Sequence, residues 1–143
     1  MSEWKRIKDD AGIRELWELA NGFHDSCIVS ASYASGMYVT DDLAMGRGDA
    51  KEFVLELALR RQSEQTELRL RFIGVRAFHI EGFDEDRFGD IQDARLEFTD
   101  GFAQAPGKRV IFWSDWAEFS PADAEKGGAS YAAADAMEWR FAR

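Results

Sequence analysis

Four consecutive residues, His24-Asp25-Ser26-Cys27, bring together the side chains of nucleophilic catalysis, and Cys27 is the chain's one cysteine. A Ser-His-Asp or Cys-His-Asp triad needs three side chains converging on one proton path. Neighbours in an extended segment point to opposite faces, so His24 and Ser26 share one side while Asp25 and Cys27 share the other. His24 and Ser26 can meet, but the orienting acid would have to come from Asp115 or Asp93. No Gly-x-Ser-x-Gly elbow accompanies the serine. The segment therefore reads first as a junction between helix and strand, with Asp25 or Ser26 capping backbone amides and His24 bonded to the sheet. A small-ligand or hydrolase-like site built from His24, Ser26 and Asp115 is the second reading.

Metal chemistry has little to work with. His79 is the other histidine, no His-Glu-x-x-His spacing occurs, and a lone cysteine cannot form a thiolate cluster or an internal disulfide. The acidic run Asp84-Glu85-Asp86-Arg87-Phe88-Gly89-Asp90 lacks the alternation and the terminal glutamate of an EF-hand loop, so it reads as a solvated surface. Gly46-Arg47-Gly48 has neither the length nor the Lys-Ser/Thr of a phosphate loop. No metal and no cofactor is expected.

The elements that must position these residues follow from periodicity. Asp9 or Asp10 caps a helix whose Ile13, Leu16, Trp17 and Ala20 form one apolar face, and Asn21-Gly22 supplies a left-handed stop. The period then changes to two. Strands are expected over Cys27–Tyr33, Met37–Val39 after a Ser35-Gly36 turn, Phe53–Arg60 and Leu68–Phe72. Further strands are expected over Val75–Ile80, Ala94–Thr99, Val110–Trp113 and Met137–Phe141. Gly74 marks a turn or a bulge. The polar link from Arg61 to Thr66 makes a hairpin, with Glu56 and Arg60 facing Arg69, Arg71 or Glu67 across it. Val110-Ile111-Phe112-Trp113 is apolar on both faces, as a central strand is. The expected architecture is α+β: an N-terminal helix packed on a curled, mainly antiparallel sheet of seven or eight strands, as a half-barrel or sandwich. It forms a single domain over residues 1–143.

Composition narrows the partners. Eleven Phe and five Trp favour pleated, packed surfaces. A net charge of −9 works against nucleic acid and anionic membranes and suits a basic protein partner. No N-terminal apolar region and no long apolar window occurs, so a cytoplasmic location is expected. Candidate contact residues are Asp25 at the junction, Met37, Tyr38, Asp41 and Asp42 in the acidic, turn-rich stretch Ser35–Arg47, Asp84 and Asp86 in the acidic run, and Trp113 and Trp116 around Ser114-Asp115. A homodimer joined by an edge strand or by the two tryptophans is a third reading.

Phe23-His24-Asp25-Ser26-Cys27-Ile28, Tyr33, Ser35-Gly36 and Phe112-Trp113-Ser114-Asp115 together resemble a group of small bacterial proteins. In these, a Phe-His-Asp-Ser/Ala segment follows an N-terminal helix and precedes an antiparallel sheet. Some are similar to immunity proteins that neutralise polymorphic toxins. That resemblance implies a small acidic binding protein without catalysis, and assigns no residue a catalytic duty.

Overall fold

A computed structural model describes residues 3–62, 67–82 and 89–142; the candidates Asp84 and Asp86 lie outside the described residues. Helix α1 spans Asp10–Leu19, and its N-cap Asp9 accepts a hydrogen bond from the Gly12 amide at 2.9 Å. Leu16 and Ala20 are buried, and Ile13 and Trp17 pack against the same core, as the i, i+3, i+4 spacing requires. The helix stops because Asn21 (φ 52°) and Gly22 (φ 64°) turn left-handed.

Among the described residues there are nine strands. They are β1 (Lys5–Arg6), β2 (Ser26–Ala34), β3 (Met37–Val39), β4 (Met45–Arg47), β5 (Val54–Arg61), β6 (Glu67–His79), β7 (Arg95–Thr99), β8 (Val110–Ser114) and β9 (Tyr131–Ala142). Seven form one antiparallel sheet in the order β2-β5-β6-β9-β8-β7, with β1 paired to β9, while β3 and β4 form a separate hairpin. The sheet stays open. Its start is tied to the segment before β7 by a bridge between Ser26 and Ile91, whose amide donates to the Ser26 carbonyl at 2.7 Å.

The expected hairpin is β5–β6, with Glu56 opposite Arg71 and Arg60 opposite Glu67. Glu56 lies 3.8 Å from Arg71 and 3.9 Å from Arg69, and Arg71 reaches on to Glu138 at 3.3 Å, so the solvent face of the sheet carries a ladder of ion pairs. Gly74 does not end a strand. It lies inside β6 with φ 70°, and its amide and that of Val75 both donate to the Phe53 carbonyl.

Both faces of the sheet are covered around β8 and β9. Leu55, Leu57, Leu59, Leu68, Leu70, Phe72, Ile111, Trp113, Ala132 and Ala134 face α1. On the opposite face, Val110, Phe112, Tyr131 and Ala133 pack with Phe102, Ala105 and Phe119 from the long connections. The rings of Phe112, Phe119 and Tyr131 stack within this second core, at centroid distances of 5.7 to 6.4 Å. The Ala-rich first half of β9 is strand, against its propensity, because only methyl-sized residues fit between two covered faces.

One expectation is corrected here. Trp113 is not a surface anchor: it is fully buried and meets Phe23 edge-on at 5.9 Å, because β8 is paired on both sides and covered on both faces. Trp116, beyond the strand, is half exposed.

Candidate functional site

The junction from Asn21 to Cys27 is held in an unusual backbone. Asn21, Gly22, Phe23 and Asp25 all have φ between 52° and 64°. A bulky residue such as Phe23 adopts that region only where its surroundings compel it. Here the compulsion is burial: Phe23 is fully enclosed, with Trp17 and Trp113 edge-on at 5.9 Å each.

The hydrogen bonds assign each polar side chain of this segment a local task. Ser26 is buried, and its hydroxyl donates to the Phe23 carbonyl at 2.6 Å. The His24 Nδ1 lies 2.6 Å from the Gln92 carbonyl, and its Nε2 lies 3.4 Å from Asp25. The Gln92 carbonyl, then the Asp25 carboxylate, with smaller help from Asp93 and Asp90, raises the His24 pKa above its ordinary value. The Asp25 amide donates to Ile91, and its carbonyl accepts from Gln62.

Asp115 serves a different place. Its carboxylate accepts from the Ser130 amide at 3.0 Å, while its own amide donates to the Ser130 carbonyl at 3.1 Å. The Ser114 hydroxyl donates to that same carbonyl at 2.9 Å, so Ser114 and Asp115 clasp the chain between β8 and β9. His24, Ser26 and Asp115 thus each serve a separate backbone contact, and no hydrogen bond links His24 to Ser26 or to Asp115 among the contacts described. Among the described residues no three His, Cys, Asp or Glu side chains gather as a metal would need. Two open clefts flank the junction, one of about 500 Å³ lined in part by Asp25, Cys27, Arg60 and Arg61. The other, of about 620 Å³, lies beside Trp17, His24 and Asp93.

The second candidate surface, Ser35–Arg47, is the β3–β4 hairpin. Its register sets Met37 opposite Arg47, Tyr38 opposite Gly46 and Val39 opposite Met45. Met37, Tyr38, Val39, Leu43 and Met45 are all more than half exposed, Leu43 at 85% and Met45 at 79%. Five large apolar side chains on one small hairpin far exceed the scattered apolar exposure of an ordinary surface.

This hairpin is also fixed in shape. The Gly48 amide donates to the Gly36 carbonyl at 2.8 Å, closing its base. Gly36 (φ 72°) sits against the Phe53 ring, where a Cβ would lie 2.3 Å from Cδ1. At the tip the Thr40 amide donates to Ala44 at 2.8 Å, the Leu43 amide to Thr40 at 2.9 Å, and the Ala44 amide to the Thr40 hydroxyl at 3.0 Å. The Thr40 hydroxyl also binds Asp42; that bond first, and then the backbone amides of Asp42 and Ala44, hold the Asp42 carboxyl below its usual pKa. Leu43 occupies the left-handed region at φ 68°.

The sequence reading marked Met37, Tyr38, Asp41 and Asp42 but missed Val39, Leu43 and Met45. Comparison of the chain with protein-family models, with curated proteins and with solved structures finds no match.

Proposed function

We propose that this chain is a protein-interaction domain whose β3–β4 hairpin docks on a basic partner protein, in the manner of a bacterial toxin-immunity inhibitor. The observation that carries the reading is the hairpin itself: Met37, Tyr38, Val39, Leu43 and Met45 stand exposed on a rigid support, with Asp41 and Asp42 at the tip. An isolated two-stranded hairpin is marginal in water, and its apolar side chains gain burial only from another surface. Because the tip is locked by its own hydrogen bonds, docking costs little ordering entropy. The two aspartates and the net charge of −9 draw in a cationic surface and raise the association rate, an effect that salt screens.

The test is a parallel capture with tagged wild-type chain, Leu43→Ala, and the double variant Asp41→Lys/Asp42→Lys. The reading requires one basic protein retained by wild type in stoichiometric amount, released at high salt, and lost from both variants. Retention of the same protein by the double variant would move the interface elsewhere. The junction cleft would then become the first place to look for a ligand.

A further inference from the structure

The main sheet ends in two unequal edges. Strand β7 is five residues long and carries Arg95 and Glu97, which pair with one another while Arg95 also donates to the Ala117 carbonyl at 3.1 Å. Strand β2, at the other edge, runs for nine residues without a charge, a proline or a glycine. Its first residue is bridged to Ile91, and the register against β5 is irregular between Ile28 and Ser30. Beyond that point Ser30–Ala34 pairs regularly with Val54–Ala58, and every residue from Val29 to Ala34 is exposed. Natural sheets blunt long edges with charge, proline, bulges or a covering loop. Among the described residues, Ser30–Ala34 has none of these.

We propose that Ser30–Ala34 pairs antiparallel with the same segment of a second copy of the chain, about a two-fold axis through Ser32, joining two sheets into one. Charge selects this occupant. Two copies of a chain with net charge −9 pack most readily where the contact strand carries no carboxylate, and in Ser30–Ala34 none occurs; the nearest, Glu56 opposite Ser32, lies within ion-pair distance of Arg69 and Arg71. A basic partner would gain nothing from it. Size selects the register. With the axis at Ser32, Ala31 lies opposite Tyr33 of the second copy, and Ser30 lies opposite Ala34 of the second copy, so small residues face large or small ones throughout. Tyr33 packs against Phe78, with centroids 4.8 Å apart, and the small Ala31 is the residue that would oppose the matching ring of the second copy. The contact is self-complementary, as a two-fold interface must be. Salt strengthens it by screening the repulsion between acidic copies, the opposite of its effect on hairpin docking.

Sedimentation equilibrium of the full chain over a concentration series, at low and high salt, reads this directly. The expected species has twice the 16.2 kDa chain mass, with tighter association at high salt. The double variant Ala31→Lys/Tyr33→Lys sets lysines against one another across the axis and weakens association by about tenfold or more. Folding of that variant is checked by circular dichroism. A second measurement avoids disruption altogether: Ser32→Cys, in a Cys27→Ser background, gives a covalent dimer under mild oxidation. A wild-type chain that stays monomeric throughout, a lysine variant that is folded and still dimeric, or a Ser32→Cys chain that does not cross-link would each overturn the proposal.

Discussion

Tyr38 and Gly46 face one another across the hairpin, and the tyrosine ring fills the space that a Cβ at position 46 would need, 2.3 Å from its Cε2. An exposed tyrosine is thereby given one position without being buried. The glycine is required for what its neighbour does rather than for its own backbone.

Gly46→Ala is accordingly expected to expel the ring and leave the rest of the fold intact. In the wild-type chain the ring should shift the Gly46 α-protons upfield in the NMR spectrum, and Tyr38→Ala should abolish that shift. The melting temperature of Gly46→Ala should stay within about 2 °C of wild type, since the hairpin contributes little to the core. A normal Gly46 α-proton position in the wild-type chain would contradict the contact.

Leu43 should be replaceable at a gain in stability. Its left-handed backbone costs a leucine about 1 kcal/mol or more, and its side chain, 85% exposed, recovers almost nothing by packing. Asparagine tolerates that region, so Leu43→Asn is expected to stabilise the chain by about 0.5–1 kcal/mol in urea denaturation. The same change should weaken capture of the partner. A loss of stability would mean that Leu43 has a packing role.

His24 predicts a pH dependence whose sign is fixed. Its folded pKa is raised, chiefly by the Gln92 carbonyl and then by Asp25, so protonation favours the folded chain. The contribution is fully present below the ordinary value of 6.5 and fades as pH rises through the higher folded value. Denaturation midpoints of wild type and His24→Gln should therefore differ more at pH 5.5 than at pH 8.5, with wild type the more stable at the acid end. An NMR titration midpoint for His24 at or below 6.5 would refute this.

Ala133 should not tolerate growth. It is fully buried in the second core, among the stacked rings of Phe112 and Tyr131. Ala133→Leu is expected to cost about 1–3 kcal/mol by overpacking. Ala122→Leu, at an exposed position, serves as the control and should stay within about 0.5 kcal/mol of wild type.

Periodicity carried most of the fold. Ile13, Leu16, Trp17 and Ala20 gave the helix and its buried face, Asn21-Gly22 gave its end, and the alternation of Leu55, Leu57 and Leu59 with Glu56 gave a strand with one wet face. The all-apolar run Val110–Trp113 marked β8 as a central strand, but burial of β9 from both sides left no such mark. Tyr131-Ala132-Ala133-Ala134 neither alternates nor carries β-branched residues, so the first half of β9 had no strand signature. Trp113, buried against Phe23 under α1, invited an interface reading because the cover on the opposite face of its strand, Phe102 and Phe119 over Phe112, comes from connections that have no period. The hairpin was legible as an acidic, turn-rich stretch. Its apolar character was not, since Leu43 and Met45 read as ordinary hydrophobic residues until a structure shows them facing outward.

The central position of β9 has a further consequence, for the order of assembly. Strands β6 and β8 never touch each other as neighbours; each is paired to β9, which also holds β1. A growing chain can form the β5–β6 and β7–β8 hairpins early, but these remain two separate halves with unpaired borders until residues 131–142 are made. Joining them requires the strand to enter between them and to close loops of large sequence separation, a slow step. Strand β9 is therefore the keystone of the sheet, and until it is seated the two halves keep unpaired strand borders open to pairing with other chains.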